Sequence, residues 1–263
     1  MYDFAYQKPS SVADAVKLLG DPEAKALAGG QTLIPVLKQR LNHPSVVVDL
    51  SKLGLSGITV SGGAVTIGAM TTHVTVATSA DVAKAIPALA SLAGNIGDRA
   101  VRYRGTIGGS LANNDPTADY PAAVLALGGT IKTDRREIAA DDYFQGMFAT
   151  ALEPGEIIVS VSFPIPEKAG YVKFRNPASR YAMVGVFVAK GPKGVRVTVT
   201  GAGQNGVFRH SAFEKALGGS WSAAALAGIA TPADGMNSDI HGSTAYRAHL
   251  VDVIAKRAVT AAG

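Results

Sequence analysis

Two glycine pairs set the tightest limits on how this chain can fold. The first lies in Ala28-Gly29-Gly30-Gln31-Thr32-Leu33, the second in Thr106-Ile107-Gly108-Gly109-Ser110-Leu111-Ala112-Asn113-Asn114-Asp115-Pro116. Lacking Cβ atoms, the backbone there can bend sharply and lie close to a ligand. Each pair leads into hydroxyl and amide side chains and then into an apolar pattern of helical period. Unpaired N–H groups at a helix start attract anions. Two such bends suit a diphosphate and point to a dinucleotide cofactor.

The flanking sequence predicts a β-α-β setting for the first pair. Ser11 with Asp14 resembles a capping box, and Val12, Ala15, Val16 and Leu19 share one face, which predicts a helix over 11–19. Ala24 to Leu27 reads as a short strand. Leu33, Val36, Leu37 and Leu41 repeat at helical spacing, with Pro35 in the first turn, and Val46 to Val48 form a buried strand. Beyond Leu55, Ile58–Val60 and Val65–Ile67 flank Gly62-Gly63 as a hairpin. Helices are predicted around Ala88–Ala93 and Tyr120–Leu127, and strands at 130–133, 156–163 and 171–174, with a boundary at Pro164-Ile165-Pro166. In the last third, 181–189 and 195–200 read as strands, and Ser211 with Glu214 caps a short helix. A closing helix over 244–261 carries Tyr246, His249, Leu250, Val253, Ile254 and Arg257 along one side, with His249 packed. The textures divide the chain into 1–55, 56–166 and 167–263.

Composition narrows the chemistry. The 263 residues include no cysteine, which excludes disulfides, thiolate-bound zinc, cysteine-ligated iron–sulfur clusters and a cysteinyl flavin link in this chain. The five histidines are scattered without a metal-binding spacing, so no protein-bound metal is expected. No apolar run reaches bilayer length and the N-terminus lacks signal-peptide features, so the expected location is cytoplasmic, without a transmembrane segment. Net charge is +5, and Arg99, Arg102 and Arg104 precede the second pair. No aromatic interleaving or reader motif accompanies them, so nucleic acid is not expected as a partner. They read either as a solvated basic edge or as a contact to a cofactor phosphate or a docking partner.

Gly201-Ala202-Gly203-Gln204-Asn205-Gly206 matches the dinucleotide pattern G-x-G-x-x-G. The long helix, second strand and distal acid of a Rossmann site do not follow it, so it reads as a turn. No P-loop or G-x-S-x-G elbow is present, and Ser110 suits a phosphate hydrogen bond better than nucleophilic catalysis. No catalytic side chain stands out. Asp119 opens the helix after the second pair; it can favour the helix dipole, accept from ribose hydroxyls, or do both.

The Ala-Gly-Gly-Gln-Thr-Leu loop, the Thr-Ile-Gly-Gly-Ser…Asn-Asp-Pro…Asp-Tyr-Pro-Ala stretch, Gly155-Glu156-Ile157-Ile158 and Lys173…Arg180 together resemble one family. It is the FAD-binding medium subunit of the molybdenum hydroxylases, which include carbon monoxide dehydrogenase, aldehyde oxidoreductases and the xanthine dehydrogenase group. The resemblance implies an α+β fold: a two-subdomain FAD-binding fold of the PCMH type, then a C-terminal α+β domain with a small antiparallel sheet. It implies that Leu27, Ala28, Gly29, Gly30, Gln31, Thr32 and Leu33 wrap the diphosphate of non-covalent FAD. Thr106, Ile107, Gly108, Gly109 and Ser110, with Asn114, form the second wall. Asp119 meets the ribitol or ribose, and Ile96, Ile158 and Lys173 line the flavin. Gln31 stands where many relatives carry histidine, and Asn113-Asn114 replaces the His-Gly of carbon monoxide dehydrogenases, which loosens the link to that substrate.

By the same resemblance the chain is an electron-transfer subunit of an oxidoreductase. A small partner subunit with two [2Fe–2S] clusters supplies electrons, a large molybdopterin subunit hydroxylates the substrate, and an external acceptor takes electrons from FAD. The expected assembly is a dimer of heterotrimers. A stand-alone FAD-dependent oxidase and a non-catalytic assembly subunit are the alternatives.

Overall fold

The structure is a computed structural model describing residues 1–263. Three sheets follow one another along the chain. The first is three-stranded and parallel, in the order β1 (Ala5–Gln7), β3 (Val46–Asp49), β2 (Lys25–Leu27). Helix α1 (Val12–Leu18) joins β1 to β2, and α2 (Leu33–Lys38) joins β2 to β3. Ser11 caps α1 by accepting from the Asp14 N–H, as the sequence pattern predicts. Strand β1 escapes the sequence pattern because all three of its residues are exposed at a sheet edge. Its largest contiguous apolar cluster has just four buried members, Ala15, Val48, Leu50 and Ile157, and one of them comes from far along the chain. The unit therefore depends on its neighbours for a core.

The second sheet runs β4 (Ile58–Ser61), β5 (Ala64–Gly68), β10 (Ile158–Pro164), β6 (Thr130–Thr133), β7 (Glu137–Ala139), all antiparallel. Its central strand arrives last: Val161 pairs with Ile67 on one side and Ile131 on the other. Between β5 and β6 lie α3 (His73–Thr78), α4 (Ala80–Ala85), α5 (Pro87–Gly94), α6 (Arg99–Arg104), α7 (Ile107–Asn113) and α8 (Tyr120–Ala126). After β7 come α9 (Ala140–Tyr143) and the small hairpin β8 (Phe144–Gly146) with β9 (Ala149–Thr150). A core of 30 buried residues joins this sheet to α3, α5, α7 and α8, making it the framework on which the rest is mounted.

The third sheet is antiparallel, in the order β11 (Lys168–Arg175), β12 (Ala182–Gly191), β13 (Gly194–Thr200), β14 (Phe208–Arg209). Helix α8 packs against β12 and β13 and buries all seven of its residues. Helices α10 (Ser211–Gly219) and α11 (Thr244–Ala262) carry the second core with this sheet. Two sequence expectations change here. His210, not Ser211, caps α10, with its Nδ1 accepting from the Phe213 N–H; Glu214 turns away to the Val197 N–H and the Arg209 guanidinium. The packed face of α11 runs through Arg247, Ala248, Leu250, Val251, Ile254, Ala255, Ala258 and Val259, whereas Tyr246, His249 and Arg257 are exposed. Arg247 joins the buried face because it donates to the carbonyls of Met183 and Gly201 and pairs with Asp239. Gly201, at the start of the G-x-G-x-x-G pattern, has φ +82° in the turn after β13.

Candidate functional site

A cleft of about 760 Å³ opens between the first and second units and is bordered also by the β11–β12 turn. Both glycine pairs line it. The first pair lies in the loop between β2 and α2. Gly30 has φ +76°, a left-handed conformation that favours glycine. Gly29 lies so close to the Arg104 carbonyl and Gly105 that no side chain fits between them. The backbone N–H groups of Gly29, Gly30, Gln31, Thr32 and Leu33 find no acceptor within the chain. The Thr32 side chain makes no capping bond. A run of unpaired N–H groups in a turn is a concavity for an anion.

The second pair is built differently. It forms the first turn of α7, and that turn has no N–H to spare. Ile107 donates to the Thr71 carbonyl, Gly108 to Ala69, Gly109 to the Thr106 hydroxyl and Ser110 to the Thr106 carbonyl. The expectation of free anion-binding N–H groups therefore fails at this pair, because the β5–α3 connection and the Thr106 cap have already taken them. The glycines serve close packing: a Cβ on Gly108 would meet the Ala69 carbonyl oxygen at 2.7 Å. What α7 gives the cleft is a smooth wall with the Ser110 side chain on it.

Asp119 lies on the cleft beneath this wall, 4% exposed. It makes no capping bond on α8, so dipole compensation is not its main contact. Its Oδ1 accepts from the Tyr171 hydroxyl at 2.5 Å and lies 2.9 Å from the Lys173 Nζ, which also donates to Oδ2 at 3.1 Å. Lys173 further donates to the Asn95 carbonyl, and Arg175 to the Asn95 side-chain oxygen. Burial pushes the Asp119 carboxyl above its ordinary value, against the opposing pull of Lys173 and Tyr171. Burial likewise raises the Tyr171 hydroxyl well above its usual range, with the Asp119 charge adding to it. The cluster ties α5 and α8 to β11 across the cleft floor.

Of the residues singled out from sequence, Ala28 to Leu33, Ile96, Thr106, Gly108, Gly109, Ser110, Asp119 and Ile158 line the cleft. Leu27, Ile107, Asn114 and Lys173 are not among the lining residues. Ile107 points into the core. Asn114 has left-handed backbone (φ +43°) and ends α7; its Nδ2 donates to the Gly146 and Ala149 carbonyls, and its own carbonyl accepts from the Phe148 N–H. It fastens the β8–β9 hairpin instead of facing the cleft.

Sequence reasoning missed several lining residues: His73, Asp98, Glu156 and the turn Ala178–Tyr181. They come from remote segments with no shared motif. In the turn, Asn176 Oδ1 accepts from the N–H groups of Ala178 and Ser179, which holds Arg180 at φ +64° and Tyr181 half-exposed at the cleft.

Comparison with known proteins gives this geometry a context. Residues 2–166 match the family described as the FAD binding domain in molybdopterin dehydrogenase. The chain is 38% identical to the nicotine 6-hydroxylase medium subunit of Paenarthrobacter nicotinovorans, over 98% of this chain and 96% of that one. It is 35% identical to the carbon monoxide dehydrogenase medium chain of Afipia carboxidovorans, over 97% and 95%. Its fold superposes on reconstituted CO dehydrogenase from Oligotropha carboxidovorans with a TM-score of 0.90 at 34% identity, covering 99% of this chain and 98% of that one. Quinoline 2-oxidoreductase from Pseudomonas putida 86 gives 0.89 at 31% identity, covering 99% and 97%. By family match, full-length relatives and fold, the chain belongs to the FAD-binding medium subunits of the molybdenum hydroxylases.

Proposed function

We propose that this chain is the FAD-carrying electron-transfer subunit of a molybdenum hydroxylase. It takes electrons from [2Fe–2S] clusters on a small partner subunit and passes them to an external acceptor. Molybdopterin sits on a large partner subunit, and three chains assemble as a dimer of heterotrimers in the cytoplasm. The observation that carries the reading is the run of unpaired N–H groups from Gly29 to Leu33 on the cleft wall.

These donors suit a diphosphate. Hydrogen bonds to a charged group contribute about 1.5–3 kcal/mol each, so a few of them hold a dinucleotide without a covalent link. The Thr32 and Ser110 hydroxyls stand on the same cleft and add to the set. Thr106, Gly108 and Gly109 keep the opposite wall smooth enough for a close approach. Ile96 and Ile158 offer apolar surface for the flavin end. Asp119 faces the ribitol or ribose, and Lys173 acts behind it as a positioning residue, fixing the carboxylate. Bound FAD supplies the redox chemistry, accepting electrons singly or in pairs. The chain itself holds no cysteine for a cluster, so its electron source lies on another chain.

Purification from a host expressing the neighbouring genes tests this. The expected product is a yellow complex with stoichiometric FAD, and with iron and molybdenum on its partner chains. A complex without flavin overturns the reading. A lone yellow protein that turns over substrate by itself replaces it with a stand-alone oxidase.

A further inference from the structure

His73 is a buried imidazole with no hydrogen bond anywhere in the chain. It opens α3, is 5% exposed and lines the cleft. Its backbone N–H donates to the Gly105 carbonyl at 2.9 Å, and neighbouring Thr72 bridges to Thr106, so the residue is locked to the segment that leads into α7. The two ring nitrogens have different surroundings. Nδ1 is wholly enclosed and unpartnered; the Tyr120 ring lies 5.4 Å away, centroid to centroid, and its hydroxyl is unpartnered too. The Nε2 edge lies over Gly105, where an added Cβ would come within 2.5 Å of Nε2. Nε2, unlike Nδ1, is not wholly enclosed, and the residue borders the cleft. Burial, with the Arg102 cation beside it, holds the ring neutral, its pKa lowered to about 4.

A neutral imidazole on a backbone held to the segment before α7, with an unpaired nitrogen beside a ligand cleft, has one evident use. We propose that His73 is a positioning residue for the bound dinucleotide, donating a hydrogen bond from Nε2 to an acceptor atom of the ligand. The inference rests on the flavin reading above and adds a contact that neither glycine motif supplies. It also explains why residue 105 is glycine: a side chain there would push the imidazole off the wall.

The test is FAD rebinding to the flavin-depleted complex, followed by quenching of FAD fluorescence. His73→Phe keeps the ring and removes both nitrogens; His73→Gln places an amide nitrogen near Nε2. Loss of one hydrogen bond predicts roughly tenfold weaker FAD binding for His73→Phe, recovery to within about threefold for His73→Gln, and a loss like that of His73→Phe for Gly105→Ala. Thermal midpoints of flavin-free His73→Phe and His73→Gln should agree with the unsubstituted protein, which a purely structural role for the ring would not combine with rescue by glutamine, whereas Gly105→Ala, which crowds the ring, should also lower the midpoint. FAD bound as tightly by His73→Phe as by the unsubstituted chain overturns the inference and leaves the flavin reading standing. An unsubstituted complex that takes up no FAD overturns both.

Discussion

The two glycine pairs look alike in sequence and differ in the fold. At Gly29-Gly30 the backbone leaves its N–H groups unpaired toward the cleft. At Gly108-Gly109 every N–H of the turn is already spent on Thr71, Ala69 and Thr106. Both pairs bring two pieces of chain into close contact, but only the first also leaves donors free. A glycine pair in a sequence therefore marks a close approach, and only the accounting of hydrogen bonds tells whether the approaching partner is a ligand or the protein itself.

Both pairs line the same cleft as Asp119, so the contrast between them is tested first against the loss of the buried cluster that holds this carboxylate. Lys173→Met leaves a buried carboxylate with Tyr171 as its one remaining partner. The expected loss is about 3–5 kcal/mol in urea unfolding, and FAD retention falls with it. A loss under about 1 kcal/mol would mean that the floor does not depend on this pair.

Acid should act on the same scale. Glu156 accepts from Arg136, Thr133 and the Glu153 N–H, and Arg136 together with these hydrogen bonds lowers its carboxyl to about 2 from an ordinary 4.5. A carboxyl lowered by folding stabilises above its unfolded pKa, and that stability is lost as pH falls through the interval from about 4.5 to about 2. At about 1.4 kcal/mol per pH unit the contribution is about 3 kcal/mol. Glu156→Gln should flatten the acid limb of a stability-against-pH curve; an unchanged limb would place the titrating group elsewhere.

The contrast itself is sharpened by two smaller changes. Gly108→Ala should cost about 1–3 kcal/mol of stability, because the new methyl meets Ala69, and the midpoint of thermal unfolding should fall with or without FAD present. A normal midpoint with FAD lost would make the second pair a ligand loop after all. Ser110→Ala should leave the midpoint alone and weaken FAD by about tenfold, while Gln31→Ala, which removes an exposed side chain with only a long 3.5 Å contact to the Gly29 carbonyl, should change affinity less than twofold. Equilibrium titration with FAD separates the three.

Much of the fold was legible because local signals agreed. The hairpin at Gly62-Gly63, the helices around Ala88–Ala93 and Tyr120–Leu127 and the strand at 195–200 each carry their own pattern. Strand β1 was not legible, since three exposed edge residues have no period to read. His210 was hidden as a cap because the sequence offers Ser211 with Glu214 in the capping-box pattern, while in the fold the His210 ring accepts from the Phe213 N–H and Glu214 accepts from the Val197 N–H. In the cleft, the spacing of the two motifs pointed to Ala28–Leu33, Thr106 and Gly108–Ser110, which line it, and also to Leu27, Ile107 and Asn114, which do not. Asn114 was misassigned because its amide turns to a hairpin formed more than thirty residues later. His73 and Ala178–Tyr181 were invisible, because only tertiary folding carries them to the wall.

Strand β10 lies at the centre of the second sheet although it is the last of the five to be made. Until residue 158 leaves the ribosome, β5 and β6 have no common neighbour, and until residue 181 follows, the cleft lacks part of its lining. A translation product cut short before that point cannot shelter the coenzyme, so loading of the flavin reports that synthesis has gone past it.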